Sequence, residues 1–323
     1  MHAQPTPKLG GVAVFVAIAA ATLVFLRPVI PAQVTLLVAG AAAFAMIGLA
    51  DDLRSAGPWK LALEAGVVVL IVGAGGFRVN LPWPYLGEIL AILWIVGVAN
   101  AMNCLDCTDG VASGTAVVSA LALIPIAIAA HRWGVAVGAA AVAGASLGFL
   151  RYNFPPARIF LGDAGSLMLG FFLGALGAAI AASGASPTRF LAPALILGLP
   201  CCDFLFVHWR RYQSGIRNPL QILTSTGRDH LPHRLQHVGL SYRQIALWIY
   251  GVSSLLGAGA VILVLWESLR AVILVALCIG AVSSLGWAAR IVDENRRNIA
   301  WVAAGQAKRS SRRSRGGLEN MSG

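Results

Sequence analysis

Ile89-Leu-Ala-Ile-Leu-Trp-Ile-Val-Gly-Val-Ala99 runs without interruption into Asn100-Ala-Met-Asn-Cys-Leu-Asp-Cys-Thr-Asp-Gly110. The first half is apolar enough to lie in a bilayer. The second half holds Asp106, Asp109, Asn100 and Asn103, and no basic residue. Anionic groups at the end of a membrane span are costly unless a cation or a polar substrate sits beside them. Oxygen ligands of this kind suit a hard divalent ion such as magnesium. The stretch therefore reads as a span that ends where a metal and a phosphate-like ligand meet.

Working outward, the rest of the chain is built like its first half. The 323 residues are 58% hydrophobic and 11% charged, with mean hydropathy +0.77. A soluble domain carries about 25% charged residues, so this composition points to an integral membrane protein. A span needs about 20 mostly apolar residues. That ruler predicts an all-α, polytopic protein with about ten transmembrane helices, at roughly 10–26, 31–50, 61–77, 86–103, 111–130, 133–150, 165–183, 189–207, 245–265 and 270–289. The longest gap runs from His208 to Gln244 and leaves little room for a soluble domain. Residues 1–295 are expected to form the membrane domain, and 296–323 a basic, low-complexity tail. The first span begins within ten residues of Met1, with no clear cleavable signal.

Threading the spans alternately puts Arg27, Arg78, Arg132, Arg189 and Arg270 on one side and the other 19 of the 24 Lys and Arg on the opposite side. Lys and Arg accumulate on the cytoplasmic side, which predicts a multi-pass inner (plasma) membrane protein with both termini cytoplasmic. Without Lys308, Arg309, Arg312, Arg313 and Arg315 of the tail the bias is still 14 to 5. The same threading brings four polar clusters to the cytoplasmic face: Asp51-Asp52, the Asn100–Asp109 segment, the Gly162-Asp163 turn and the 208–244 loop. A transporter would be expected to keep its polar groups near the midplane on broken helices. These sit at span ends.

Each cluster has an ordinary reading. Asp51-Asp52 can be a polar loop countered by Arg54 and Lys60. Asp163 can merely cap the helix that follows it, although a helix start also offers N–H groups to phosphate. Arg210-Arg211 read as topology signals, and Asp203 is the least certain of the acids. The run Arg228-Asp-His-Leu-Pro-His-Arg234 is denser than topology needs, and Arg and His beside acidic metal ligands suit a diphosphate. The five cysteines, Cys104, Cys107, Cys201, Cys202 and Cys278, read as reduced packing residues rather than a zinc site. The net charge of +11 owes much to topology and tail, so no nucleic-acid partner is expected.

Taken in order, the motifs resemble a known family. Pro5-Thr-Pro-Lys-Leu-Gly-Gly11, Asp51-Asp52, Asn100-x-x-Asn103-x-x-Asp106-x-x-Asp109-Gly110, Ile159-Phe160-x-Gly162-Asp163-x-Gly165-Ser166 and Arg228-x-His230-Leu-x-His233-Arg234-Leu235 are similar to those of the polyprenyl-phosphate N-acetylhexosamine-1-phosphate transferases, on the WecA-like rather than the MraY branch. The resemblance runs from about residue 5 to 243. It implies that a polyprenyl (undecaprenyl) phosphate attacks the β-phosphorus of a UDP-N-acetyl sugar, releasing UMP and leaving a polyprenyl-diphospho-sugar that starts a cell-envelope glycan. It implies magnesium, with manganese as the alternative ion, on Asn103 and Asp163. Asp51, Asp52, Asp106, His230, His233 and Arg234 become the candidate catalytic residues. Lys60, Asp109, Asn153, Phe160 and Arg228 become the candidate substrate contacts, with Asp109 and Phe160 at the uracil. The expected partners are the lipid phosphate and the UDP-sugar, and a homodimer is compatible.

The sequence departs from the family at several points. Cys107 stands where Gly is usual, Cys104 where a bulky residue is usual, Pro232 where a second His is usual, and Gly227 where Asp is usual. The family usually has one span before the Pro-x-x-Gly-Gly motif, which here begins at Pro5, so that either the start is misassigned or this member has ten spans rather than eleven. Two other classes compete: a non-enzymatic lipid-linked transporter or scaffold of the same fold, and a CDP-alcohol transferase. The complete set of acids argues against the first. The second would need a denser run of Asp on one helix.

Overall fold

The computed structural model describes residues 7–25, 32–54, 57, 59–75, 77, 83–184, 186–224, 227 and 229–266. These form twelve helices and, among the described residues, no strand: α1 (Gly10–Phe25), α2 (Ala32–Arg54), α3 (Trp59–Gly75), α4 (Pro84–Leu105), α5 (Val111–Ala129), α6 (Trp133–Asn153), α7 (Gly162–Ala181), α8 (Pro187–Ile196), α9 (Gly198–Gln213), α10 (Pro219–Thr224), α11 (Leu231–His237) and α12 (Tyr242–Trp266). In lipid every backbone polar group must be bonded within the chain, and the helix is the local way to do that. Prolines mark several starts, where a missing N–H costs nothing: Pro84, Pro187 and Pro232 lie in first turns. The polytopic, all-α membrane architecture is the one the hydropathy predicts.

The span count is lower than expected. Six helices among the described residues are long and apolar enough to cross a membrane, or seven if α8 and α9 count as one bent span. The apolar α1 has 16 residues and α3 has 17, both short of that length. The tenth candidate, 270–289, lies outside the described residues, as do the basic tail, Cys278, Pro5 and Arg228. The single span expected at 189–207 is instead two helices bent by 70° between Ile196 and Gly198. Pro193 and Pro200 flank the bend and each removes a backbone donor that a straight helix would use. The 208–244 segment is not an open loop either, since α9 extends through Gln213 and α10 and α11 occupy much of the remainder.

α7 is the axis of the bundle. Every residue from Ala164 to Ala181 is buried, and α1, α2, α4, α5, α6 and α8 all pack against it. A helix apolar on all sides belongs in a core. Lipid supplies little hydrophobic drive for helix association, so close backbone approach matters. A Cβ on Gly170 would lie 2.6 Å from the Cα of Ala99, and one on Gly174 would lie 3.2 Å from the Cα of Ile95. This pair of glycines, four apart, seats α7 on α4. Phe171 stacks on Phe44 of α2, with ring centroids 4.7 Å apart.

The outward faces carry Val24, Met46, Leu70, Leu93 and Leu255, all exposed, as lipid-facing surface requires. Exposed aromatic residues collect at both ends of the bundle: Trp59, Tyr152 and Trp209 at one, Trp83, Trp133 and Trp266 at the other. Aromatic belts of this kind lie at the two membrane–water boundaries.

Candidate active site

Seven helix ends meet at one end of the bundle: the starts of α1, α3, α5 and α7 and the ends of α2, α4 and α6. Among them lies a half-open cavity of about 220 Å³. Its wall holds Asp52, Asp106, Asp109 and Asp163, the ring of Phe160, and one cation among the described residues, Lys8. Four carboxylates from three parts of the sequence thus face one space. The excess of negative charge is the kind a cation would offset.

Backbone contacts build the near wall. Phe160 N–H donates to Pro7 O at 2.9 Å, Gly10 N–H to Phe160 O at 3.1 Å and Gly11 N–H to Leu161 O at 2.9 Å. The Pro-x-x-Gly-Gly motif is therefore a zipper that holds the chain on which Phe160 and Gly162 sit. Gly162 has φ +72°, and a Cβ there would lie 2.7 Å from an Asp52 carboxylate oxygen. That glycine lets Asp52 reach from the end of α2 to accept the Ala164 N–H of α7 at 3.3 Å. Asp52, 112 residues away in sequence, supplies a hydrogen bond to an N–H of the first turn of α7. The expectation that Asp163 merely caps this helix is not met: Leu161 is the N-cap, and no side-chain cap is formed there.

Lys60, at the start of α3, ion-pairs with Asp51 and lies 3.5 Å from Asp163. Lys8 lies 3.6 Å from Asp52. One turn beyond Lys60, Glu64 is fully buried. It accepts the amide of Asn100 on Oε2, while Oε1 has no partner. Asn100 is thus turned away from the cavity toward α3. The sequence did not single out Glu64.

The Asp109 side is tied to α6 and α12. Asp109 accepts the Ala157 N–H at 2.9 Å. Asn153 Oδ1 accepts Gly110 N–H at 3.1 Å and the Ser113 hydroxyl at 2.8 Å, and its amide nitrogen donates to Ile159 O at 3.0 Å. Asn153 lines the cavity, yet its amide is committed to holding two loops together. The Tyr250 hydroxyl donates to Gly110 O at 2.6 Å. Asp106 ends α4 between these groups. Burial, then the charges of Asp163, Asp52 and Asp109, hold its carboxyl well above the usual carboxylate range.

The basic segment makes a second, separate cluster. Arg211, read from sequence as a topology signal, is buried. It donates to both oxygens of Asp229 at 3.1 and 3.0 Å and to Ile222 O at 3.1 Å. Burial alone would raise the Asp229 carboxyl, but the Arg211 guanidinium outweighs it and holds the pKa below the usual value. This clamp delivers His230 to Asp203, whose carboxylate lies 3.0 Å from Nδ1 and accepts the Leu231 N–H at 2.8 Å. Burial opposes the charged imidazolium, but Asp203 and the adjacent Cys104 prevail and raise His230 to about 10. Asp203, the least certain acid in the sequence, is thus the partner of a candidate catalytic histidine. Arg234 lies 4.5 Å from the Phe206 ring centroid. Asn103, His230, His233 and Arg234 are not in the acidic wall. Cys104, at the end of α4, reaches His230, and Cys107 just beyond it lines the acidic cavity.

No group of three or more His, Cys, Asp or Glu side chains is placed to hold a metal among the described residues. Burial pushes the Cys107 thiol up, away from a thiolate. Magnesium is a different case, because it keeps several waters and takes one or two carboxylates plus substrate phosphates. Asn103, one turn before Asp106, lies outside the acidic wall, and its unpartnered buried atom is the amide nitrogen, a donor rather than a metal ligand. Asp163 is 39% exposed. Asp163, with the other carboxylates of the same wall, offers the oxygen ligands that magnesium takes.

Residues 34–181 match glycosyl transferase family 4. The chain is 30% identical over 282 residues to a probable undecaprenyl-phosphate N-acetylglucosaminyl 1-phosphate transferase of Bacillus subtilis, covering 83% of this chain and 77% of the relative. It is 32% identical over 301 residues to the decaprenyl-phosphate N-acetylglucosaminephosphotransferase of Mycolicibacterium smegmatis, covering 80% and 72%. A phospho-N-acetylmuramoyl-pentapeptide-transferase of Moorella thermoacetica is 36% identical over 195 residues, covering 53% and 60%. Similarity of this extent over most of both chains shows the family: the chain belongs to glycosyl transferase family 4.

Proposed function

We propose that the protein transfers an N-acetylhexosamine-1-phosphate from a UDP-sugar to a polyprenyl phosphate. An oxygen of the lipid phosphate attacks the β-phosphorus, the bond to the UMP oxygen breaks, and UMP leaves with that electron pair. The product is a polyprenyl-diphospho-sugar. The observation that supports this reading most is the gathering of Asp52, Asp106, Asp109 and Asp163 in one cavity where apolar helices end. An acceptor anchored in the bilayer would carry its phosphate to that depth. The bias of Lys and Arg toward the same side supports a cavity open to the cytoplasm.

Within this reading Asp163 would hold magnesium on the cavity wall, with Asn103 as the second ligand that the family resemblance implies, and the ion would offset charge on the diphosphate under attack. Phe160 stacks on the uracil and Asp109 accepts from it. Of the acidic pair, Asp52 lines the cavity and Asp51 is engaged by Lys60. Asp52 is therefore the member that faces the lipid phosphate, and Asp51 holds Lys60 in place beside Asp163. His230, His233 and Arg234 approach the diphosphate and sugar from the α11 side.

The test is UMP release by purified protein given undecaprenyl phosphate, magnesium and a panel of UDP-N-acetyl sugars. Release with at least one sugar is expected, and folded protein that releases none would sink the reading. Asp163→Asn should abolish turnover while leaving thermal unfolding unchanged. Retained turnover would remove Asp163 from the site.

A further inference from the structure

The far end of the bundle has a cavity that the proposed transfer does not use. It is half-open, about 330 Å³, and lies among the start of α2, the α5–α6 turn and the end of α7. That volume is within the range of small-ligand sites. Its wall is mostly apolar, with Leu37, Phe77, Trp133 and Leu176, and its polar members include Gln33 and Arg132. Gln33 is tied to the last turn of α3 through Gly75 O at 2.9 Å. Arg132 makes no side-chain hydrogen bond or ion pair with a described residue, and its Nε is buried without a partner. No Asp or Glu is among the described residues that line the cavity. Arg132 is held there by the turn: His131 has φ +53°, and Arg132 N–H closes the turn on Ala127 O at 2.8 Å. Trp133, 61% exposed, marks this rim as headgroup depth.

An unpartnered guanidinium at headgroup depth calls for an anion, and the apolar wall beneath it calls for hydrocarbon. We propose that this cavity binds an anionic phospholipid, with the phosphodiester on Arg132 and the first part of an acyl chain along Leu37, Phe77 and Leu176. Guanidinium matches phosphate as a bidentate donor. A zwitterionic lipid fits less well, because its own ammonium already offsets the phosphate. The site is on the opposite side of the bilayer from the acidic cavity, so it stands or falls independently of the transferase reading.

Photoreactive diazirine analogues of phosphatidylglycerol and phosphatidylcholine, incorporated with the full chain in nanodiscs, test this when labelled peptides are mapped by mass spectrometry. Phosphatidylglycerol should label the peptides around Phe77, Trp133 and Leu176 about tenfold more than phosphatidylcholine, the ratio expected for one charge-assisted contact. Arg132→Gln should bring that excess down to the phosphatidylcholine level while labelling elsewhere stays constant, which also reports that the bundle is intact. Equal labelling by the two lipids, or an excess that survives Arg132→Gln, overturns the proposal. Loss of the excess on adding inorganic phosphate also overturns it, and assigns the site to a free anion.

Discussion

At the scale of single residues, the site depends on partners far away in sequence. Phe160 is the simplest case. It lines the acidic cavity on a chain held by α1, so Phe160→Ala should raise the KM for the UDP-sugar more than that for the lipid. Steady-state kinetics with each substrate varied would decide this, and an unchanged nucleotide KM rejects the stacking role. Asp203 offers a test that does not depend on turnover. With Asp203, His230 is raised to about 10, against an ordinary value of about 6.5. A raised histidine contributes stability that is complete below the unfolded value and is lost as pH rises through the folded one. The difference in Tm between wild type and Asp203→Asn should therefore be largest near pH 6 and shrink toward about pH 10. A difference that stays flat over that range would leave Asp203 a packing role only. The sequence showed both residues, but it ranked Asp203 last among the acids. Nothing local distinguishes a carboxylate that orients a histidine 27 residues away.

At the scale of elements, helix ends rather than helix faces carry the site. The end of α2 meets the start of α7 because Gly162 has a positive φ and leaves room for Asp52. Gly162→Ala would put a side chain in the left-handed region, at about 1–2 kcal/mol, and into contact with Asp52. Turnover should fall further than stability does, since Asp52 and Asp163 are both displaced. Thermal unfolding and UMP release on the same preparation would show this, and wild-type turnover in Gly162→Ala would mean the turn is not tightly set. In the sequence Gly162 reads as part of a polar turn at the start of a span. The structure shows it approached by a carboxylate of the protein itself. The bend between α8 and α9 was likewise not foreseen, because hydropathy measures how apolar a segment is and not whether it is straight.

At the scale of the whole molecule, α7 sets where everything else lies. Gly170 and Gly174 face α4 without room for a side chain, whereas a Cβ on Gly73 of α3 would meet nothing within 4 Å. Gly170→Leu should lower stability by about 1–3 kcal/mol through overpacking. Gly73→Ala should be neutral or stabilise by about 0.5–1 kcal/mol, the usual gain on removing a helical glycine. Thermal unfolding of the two variants separates them, and equal effects would mean that α7 is not the tight axis described. Exposed α3 and buried α7 look alike in composition, so this difference was not legible in the sequence.

The sequence by itself determined that the chain is helical and membrane-spanning, where the polar breaks fall, and which family motifs they spell. Those properties follow from hydropathy and spacing, which are local. Only the tertiary structure decided that Asp52 reaches the start of α7, that Asp203 and Arg211 organise the basic segment, that Asn153 is spent on tethering, and that a cationic cavity lies at the far end. Each of these is a contact between residues distant in the chain. Its energy depends on which helix ends meet, and no local pattern of residue types records that.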